Sequence, residues 1–374
     1  MMDVRVVGAG PAGLMAAEVL SKGGAKVTIV DQHRNPARKF LLAGRGGLNL
    51  TNAEPLEKLL QRYGESRSFL EAAIREYPPA SVIAWCESLG IPTFTGSSGR
   101  IFPKCMKASP VLRAWLRQLE QQGVQLESGT AWKGFDDVPT ILALGGASWP
   151  ELGSDAAWVP VFQSAGVKVN PLQPSNGRQL VPWTEHFSSR HAGQPLKNVC
   201  ITVAGRAARG EIIISRDGLE GGAIYALSDL MREATQLTID LKPDLSVEEV
   251  NTRFSWPRGK ESRSNYLRKR FGLTPAAISL MYEAKAESPK SVVLTTTGPA
   301  DIRRAISSSG GVAPEEMDEN FRLKKFPNCF VVGEMLDWDA PTGGYLLQAC
   351  FSTAVKAARA MLDYSSIPTR NSTA

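Results

Sequence analysis

The sequence predicts an α/β fold: a doubly wound, largely parallel sheet flanked by helices, with a mixed β-rich and helical domain inserted into it. Three observations carry that prediction. A short apolar run ends in the pattern Gly8-x-Gly10-x-x-Gly13 and passes directly into a helix-like stretch. A second apolar run closes on Asp31, about 20 positions beyond the first glycine, the offset at which a carboxylate reaches a ribose hydroxyl. Another glycine-rich passage from strand to helix lies near the far end of the chain, from Gly333 to Leu346.

Val4, Val6 and Val7 form the first predicted strand, because β-branched residues pack well on a buried pleated surface. Gly8 then permits a tight turn, Gly10 leaves space for a pyrophosphate, and Gly13 lets the helix lie close on the strand. That helix starts at Pro11, which sacrifices no hydrogen bond in a first turn. It runs through Leu14, Met15, Ala17 and Leu20 to the stop signals Gly23 and Gly24. Its N-terminus offers free N–H groups and a partial positive charge to a phosphate. Residues 26–30 form the second strand, closed by Asp31, and His33 beyond it reads as a solvated loop residue.

The stretch RKFLLAGRGGLNLTN follows, with two cations, Arg38 and Lys39, and a loop holding Gly44, Arg45, Gly46, Gly47, Asn49, Thr51 and Asn52. The glycines allow close backbone approach to a ligand and the polar residues offer hydrogen bonds. A plain glycine-rich surface loop with a helix cap is the alternative reading. Ser109 is expected to cap a helix with Pro110 in its first position, carrying Val111, Leu112, Trp115, Leu116 and Leu119 on one apolar face. Val124 to Leu126 reads as a strand, and the apolar run from Thr140 breaks at Gly145 and Gly146. Phe330 to Val332 is a buried strand running into Gly333-Glu334, and Thr342-Gly343-Gly344-Tyr345 opens a long alanine-rich helix. Two such turns at opposite ends of one chain suit a single flavin spanning the sheet. The first would hold its pyrophosphate and the second would aim helix N–H groups at its ring.

At 374 residues the chain is long enough for two domains. Its 43 basic and 37 acidic residues give a net charge of +6, which could favour anionic ligands or a membrane surface but reads as a mildly basic surface. Five scattered cysteines with no CxxC exclude a dithiol pair and a zinc knuckle, and fit a reducing cytoplasm. No apolar run approaches the ~20 residues of a membrane span. His186 and His191, placed in a loop of the insert, have no carboxylate at ligand spacing, so no metal is expected. No Ser, His or Cys constellation for hydrolysis is visible, and the catalytic residue stays unassigned. Cys105 and Tyr345 are candidates for the vicinity of an active site, although Cys105 reads more readily as a structural thiol.

The motifs GAGPAGLMAA, GRGGLNLTN, GRIFPKCMKAS, ILALGGASWPELGSD, GEIIISRDGLEGGAIYALS and GEMLDWDAPTGGYLLQACFSTA occur in this order and are spread over most of the chain. In that combination the sequence resembles the BaiN-like (YhiN-type) NAD(P)/FAD-dependent oxidoreductases. The resemblance implies a Rossmann-like domain of the two-dinucleotide-binding-domain flavoprotein type, with FAD bound in an extended form. It assigns Gly8, Gly10, Pro11, Ala12 and Gly13 to the pyrophosphate, and Asp31 and Gln32 to the adenosine ribose. Arg38, Lys39, Arg45, Gly46, Asn49 and Thr51 would line the flavin, and Val124 would offer backbone contacts to the adenine. Gly145 and Gly146 would bracket the cofactor. Gly333, Glu334, Gly343, Gly344, Tyr345 and Leu346 would hold the ribityl chain and ring. Leu48 stands where many members carry a cysteine, and the stretch between Gly129 and Thr140 is short for the family.

Residues 1–170 and 305–374 are therefore expected to form the FAD-binding domain, and residues 171–304 the inserted substrate or cap domain. The turn at Gly218, Gly221 and Gly222 either shapes a substrate cavity or simply opens a helix. The basic stretch with Arg253, Arg258, Lys260, Arg263, Arg268, Lys269 and Arg270 is expected to be a solvated helix face. RNA binding through its interleaved Phe254, Trp256, Tyr266 and Phe271 is the alternative. A second GxGxxG unit for NAD(P)H is not visible, since GRAARG lacks both the spacing and the acid. The expected activity is FAD-dependent hydride transfer to or from an unidentified small molecule, with NAD(P)H a candidate donor and the oligomeric state undetermined. The alternatives are a flavin-dependent RNA-modifying enzyme and a non-catalytic flavin-binding protein.

Overall fold

A computed structural model of the chain describes residues 2–44 and 46–365. It divides into two compact units, Met1–Gln173 with Ser307–Ala374, and Pro174–Ile306. The first is built on five parallel strands: β1 (Asp3–Val7), β2 (Lys26–Asp31), β3 (Gln125–Ser128), β4 (Thr140–Leu142) and β5 (Cys329–Val331). Their spatial order is β3-β2-β1-β4-β5. The order reverses between β1 and β4, which opens a crevice at the carboxyl ends of those two strands. Val6, Val27, Ile29, Ile141, Leu142 and Val331 are all buried, because helices cover both faces of a parallel sheet. The edge strand β3 reads Gln-Leu-Glu-Ser and is exposed throughout, a polar edge that discourages pairing with another chain.

The helix Pro11–Lys22 lies between this sheet and the long C-terminal helix Tyr345–Ser365. Ala16 and Ala17 on one and Ala354, Ala357 and Ala358 on the other are buried in the same core, small side chains that allow close helix packing. Glu18 is nearly fully buried here and fully partnered. Its Oε2 accepts from Trp85 Nε1 at 3.0 Å and Trp115 Nε1 at 2.6 Å, and its Oε1 from Gln118 Nε2 at 2.7 Å and Lys22 Nζ at 2.5 Å. The two indole rings meet edge to face at 4.6 Å. A carboxylate without such donors would be costly in this interior.

Two local expectations are corrected. The helix expected to begin at Ser109 starts one residue earlier, spanning Ala108–Gln121, with Lys107 at the cap and no side-chain capping bond. Pro110 still fits, since a first-turn N–H has no partner in the helix to lose. Val124 is not part of β3. Its N–H donates to Leu119 O at 3.0 Å, so it closes the helix and leaves Gln125 to start the strand.

In the second unit every strand pair of a seven-stranded sheet is antiparallel. Its centre is the hairpin of Pro195–Val203 and Arg206–Ser215, so GRAARG turns and starts a hairpin strand. His186 and His191 lie on a helix, Glu185–His191, capped by the Thr184 side chain, rather than in a loop. The capping Thr184 hydroxyl is what turns this polar stretch helical. In the basic stretch, Tyr266 and Phe271 are buried in the helix Arg263–Phe271, and Arg270 lies over the Trp256 ring at 5.1 Å. Gly221, at φ +113°, precedes the helix Gly222–Tyr225.

Replacing Glu18 by Ala strands two buried indole N–H donors and a half-buried amide, so we expect a loss of about 3 kcal/mol of unfolding free energy. Denaturant titration followed by tryptophan fluorescence measures it; an unchanged midpoint would refute the role given to this carboxylate.

Candidate functional site

Backbone contacts define the first turn. Gly8, at φ +98°, donates its N–H to Val30 O at 2.8 Å, tying the end of β1 to β2. A Cβ on Gly8 would overlap the Ala143 carbonyl oxygen beyond β4, and one on Gly13 would overlap the Gly8 carbonyl oxygen. Gly10 differs: nothing lies within 4 Å of its Cβ position. It precedes a helix that begins at Pro11 with no side chain capping it. Free helix N–H groups beside open space are what a diphosphate requires. Asp31 is fixed next to this turn, accepting from Ala9 N and His33 N, each at 2.7 Å.

The loop after β4 reaches the same end of the sheet. Gln32 Nε2 donates to Asp155 Oδ2 at 3.2 Å, and a Cβ on Gly153 would fall 2.7 Å from the His33 ring. His33 is half-buried, with Arg38 Nη1 3.2 Å from its Nδ1. It is not the solvated loop residue that the sequence suggested, because Gly153 folds onto it from a stretch too distant in sequence to anticipate. Gly145, at φ +76°, accepts Trp158 Nε1 at 2.9 Å through its carbonyl.

The C-terminal passage packs straight onto the first turn. Gly333 has φ +73°, and a Cβ there would lie 2.8 Å from that of Ala12. Beside it, Lys39 Nζ donates to both Glu334 carboxylate oxygens, at 2.9 and 2.7 Å, and to Ser148 Oγ at 2.5 Å. Glu334 Oε1 also accepts Ser308 N at 2.9 Å, and Ser308 Oγ accepts Ala147 N at 3.0 Å. A Cβ on Gly146 would overlap Ser308 Oγ. Ser148 and Ser308 were missed in the sequence. Both stand in segments marked by glycines, but nothing in their spacing singles out a hydroxyl.

At the start of the C-terminal helix, Gly343 O accepts Asn52 Nδ2 at 3.1 Å, and Gly344 is pressed against the Thr51 backbone. Thr51 Oγ1 donates to Gln348 Oε1 at 2.6 Å. Tyr345 Oη donates to Glu54 Oε1 at 2.6 Å, while Arg62 pairs with Glu54 at 2.9 Å. Burial pushes the Glu54 carboxyl up, but hydrogen bonds from Arg62 and Tyr345 outweigh it and hold it below its ordinary value. Burial, then the bond to Glu54, raises the Tyr345 phenol. Burial also pushes the Cys350 thiol up to about 12. Leu346 is half-buried against the core. Asn49 has a buried Oδ1 with no partner among the described residues, and Gly46 is open like Gly10. Arg45 lies outside the described residues. Val124 stands apart from all of these: β2 and β3 pair Thr28 with Gln125 and Asp31 with Ser128, so Val124 sits at the opposite, amino-terminal edge of the sheet. Cys105 is exposed.

An uncapped helix terminus beside an open glycine, a carboxylate at the end of β2 and an orphaned acceptor on Asn49 together fit an extended dinucleotide lying across the switch point. The fold is thus that of a Rossmann-type, FAD-binding flavoprotein, and FAD is its cofactor. The model of the HI0933-like protein Rossmann domain matches residues 2–360, and the chain belongs to that family. A ribosomal RNA dihydrouridine synthase of Escherichia coli K12 is 24% identical over 395 residues, spanning 94% of this chain and 96% of that protein. A 3-dehydro-bile acid delta(4,6)-reductase of Clostridium scindens is 25% identical over 416 residues, spanning 96% and 99%. Among solved structures, the 3-ketosteroid delta1-dehydrogenase of Sterolibacterium denitrificans superposes with a TM-score of 0.55 at 11% identity, covering 97% of this chain and 99% of that one. The open form of a flavocytochrome c3 fumarate reductase gives 0.50 at 16% identity, covering 98% and 79%. These likenesses show the fold. No helix among the described residues is long and apolar enough to cross a membrane.

Gly10→Ala should reduce the FAD retained on purification while leaving the thermal midpoint of the flavin-free protein unchanged; Gly13→Ala should lower that midpoint itself. Equal effects of the two on stability would contradict the division between open and tight positions. Glu54 supplies stability that is fully present above its unfolded-state pKa and is lost as pH falls through its lowered folded value. Glu54→Gln should therefore flatten the acid limb of the stability–pH curve, read by thermal melts between about pH 3 and 7.

Proposed function

We propose that the chain catalyses the FAD-dependent reduction of a carbon–carbon double bond in an unsaturated ring of a small organic molecule, with NAD(P)H supplying the electrons. The observation that carries this reading is the packing of Gly333 on Ala12, which joins the two glycine turns into one end of one sheet. Bound FAD supplies two-electron hydride chemistry, and the chain's residues bind and orient it. The activities named for the two relatives, a dihydrouridine synthase and a delta(4,6)-reductase, share the addition of hydrogen to an unsaturated ring. The small-molecule reading is favoured over RNA by the basic stretch, whose Tyr266 and Phe271 rings are buried where base stacking needs exposed ones. The all-antiparallel sheet of the second unit is not a dinucleotide fold, so NAD(P)H and the substrate would use the flavin in turn. Free cysteines at all five positions support a cytoplasmic setting.

The purified protein should be yellow and release FAD on denaturation. Anaerobic NADH or NADPH should bleach it, and a cyclic enone should restore the colour, with parallel-line (ping-pong) kinetics. Colourless protein that cannot be reconstituted, or bound flavin that no reductant bleaches, would defeat the proposal; the second result would point to a non-catalytic flavoprotein. Reoxidation by a uridine-containing RNA and by no small enone would favour the RNA reading instead.

A further inference from the structure

We infer that Lys39 is a positioning residue for the ribityl half of the cofactor, acting through Glu334 rather than by touching phosphate or ring. The inference rests on the FAD reading above. With Asp31 at the end of β2 taking the adenosine side, a dinucleotide crossing the Gly8–Gly13 turn must extend its other half past β4 and β5. A charged group there is Glu334, next to Gly333, which abuts the start of the N-terminal helix. In FAD the segment beyond the diphosphate is a polyol, and a carboxylate is an acceptor for its hydroxyls.

The two oxygens of Glu334 are not equivalent. Oε1 takes Lys39 Nζ at 2.9 Å, Ser308 N at 2.9 Å and Ser308 Oγ at 3.2 Å, which saturates it. Oε2 takes Lys39 alone, at 2.7 Å, and keeps acceptor capacity. Lys39 is itself committed. Its ammonium has three donors, which go to the two carboxylate oxygens and to Ser148 Oγ. Lys39 and Glu334 are mostly buried, their side chains 24% and 16% exposed, so the pair is poorly screened. The lysine orients Oε2, while Ser148 and Ser308 hold the assembly to the β4 and pre-β5 segments.

The test separates the two halves of the ligand, because ADP lacks the polyol and the ring. The full chain is freed of flavin and titrated with FAD and with ADP. Lys39→Met should weaken FAD by about tenfold to a hundredfold, the loss of charge-assisted hydrogen bonds, while ADP stays within about twofold. Glu334→Gln should weaken FAD similarly and cost little more when combined with Lys39→Met, since both remove one arrangement. Equal weakening of FAD and ADP would reduce Lys39 to a fold-stabilising role, and unchanged FAD affinity would overturn the inference outright. Additive losses in the double variant would also overturn it. Wild-type protein that binds neither ligand would instead strike the cofactor reading. Should Lys39→Met not fold, Lys39→Arg, which keeps the charge, should retain most of the FAD affinity; loss there selective for neither ligand would count against the inference.

Discussion

The approach of Gly333 to Ala12 is the constraint on which the rest of this unit depends. Three strand ends and one helix N-terminus converge there, and side chains are excluded at Gly8, Gly13 and Gly333 because backbone or Cβ atoms already occupy the space. Glycine costs conformational entropy at each position, of order 0.5–1 kcal/mol relative to Ala. That cost is offset by the burial it permits, the helix Pro11–Lys22 seated flat between the sheet and the C-terminal helix. Separating the strand ends to admit a methyl group would lift that helix from both partners.

Two carboxylates, one buried and one mostly buried, sit on either side of this junction and show how one residue type serves opposite ends. Glu18 faces away from the strand ends and spends its oxygens on two indoles, an amide and a lysine. Those four donors come from three helices, so the charge fixes their mutual register. Glu334 stands at the strand ends and keeps one oxygen underused. A fully satisfied carboxylate makes a structural tie, whereas Glu334 Oε2, which takes Lys39 alone, keeps acceptor capacity.

Much of this was legible in the sequence where the information is local. The turn at Gly8 to Gly13, the helix after Pro11 and Asp31 at the end of β2 follow from spacing within one unit of about thirty residues. The reversal of strand order and the meeting of the two glycine turns were inferred from their likeness to each other. What stayed hidden depends on contacts between distant segments. Ser148 and Ser308 look like turn residues until Lys39 and Glu334 are brought to them. His33 looks solvated until Gly153 covers it. Cap chemistry misled at Ser109, where a serine that could cap a helix is overtaken by a helix starting one residue sooner. In the basic stretch the aromatic residues alternate with cations as they would in a nucleic-acid surface. The structure turns Tyr266 and Phe271 inward, because a helix of that length needs an apolar face to stay folded.

The glycines of the first unit divide into two sets, and the division bears on where specificity can reside. At Gly8, Gly13, Gly146, Gly333 and Gly344 a Cβ would meet this chain's own atoms, so the fold alone requires glycine there. Gly10 and Gly46 face open space, so no atom of this chain requires glycine there for room. Gly10 has an ordinary φ of −78°, so no left-handed backbone requires glycine there, and it stands at the helix N-cap, where glycine is tolerated well. What a Cβ there would obstruct is the approach of an external group to the free N–H groups of the helix start. Room for such a group is therefore left at the open glycines and not at the packed ones.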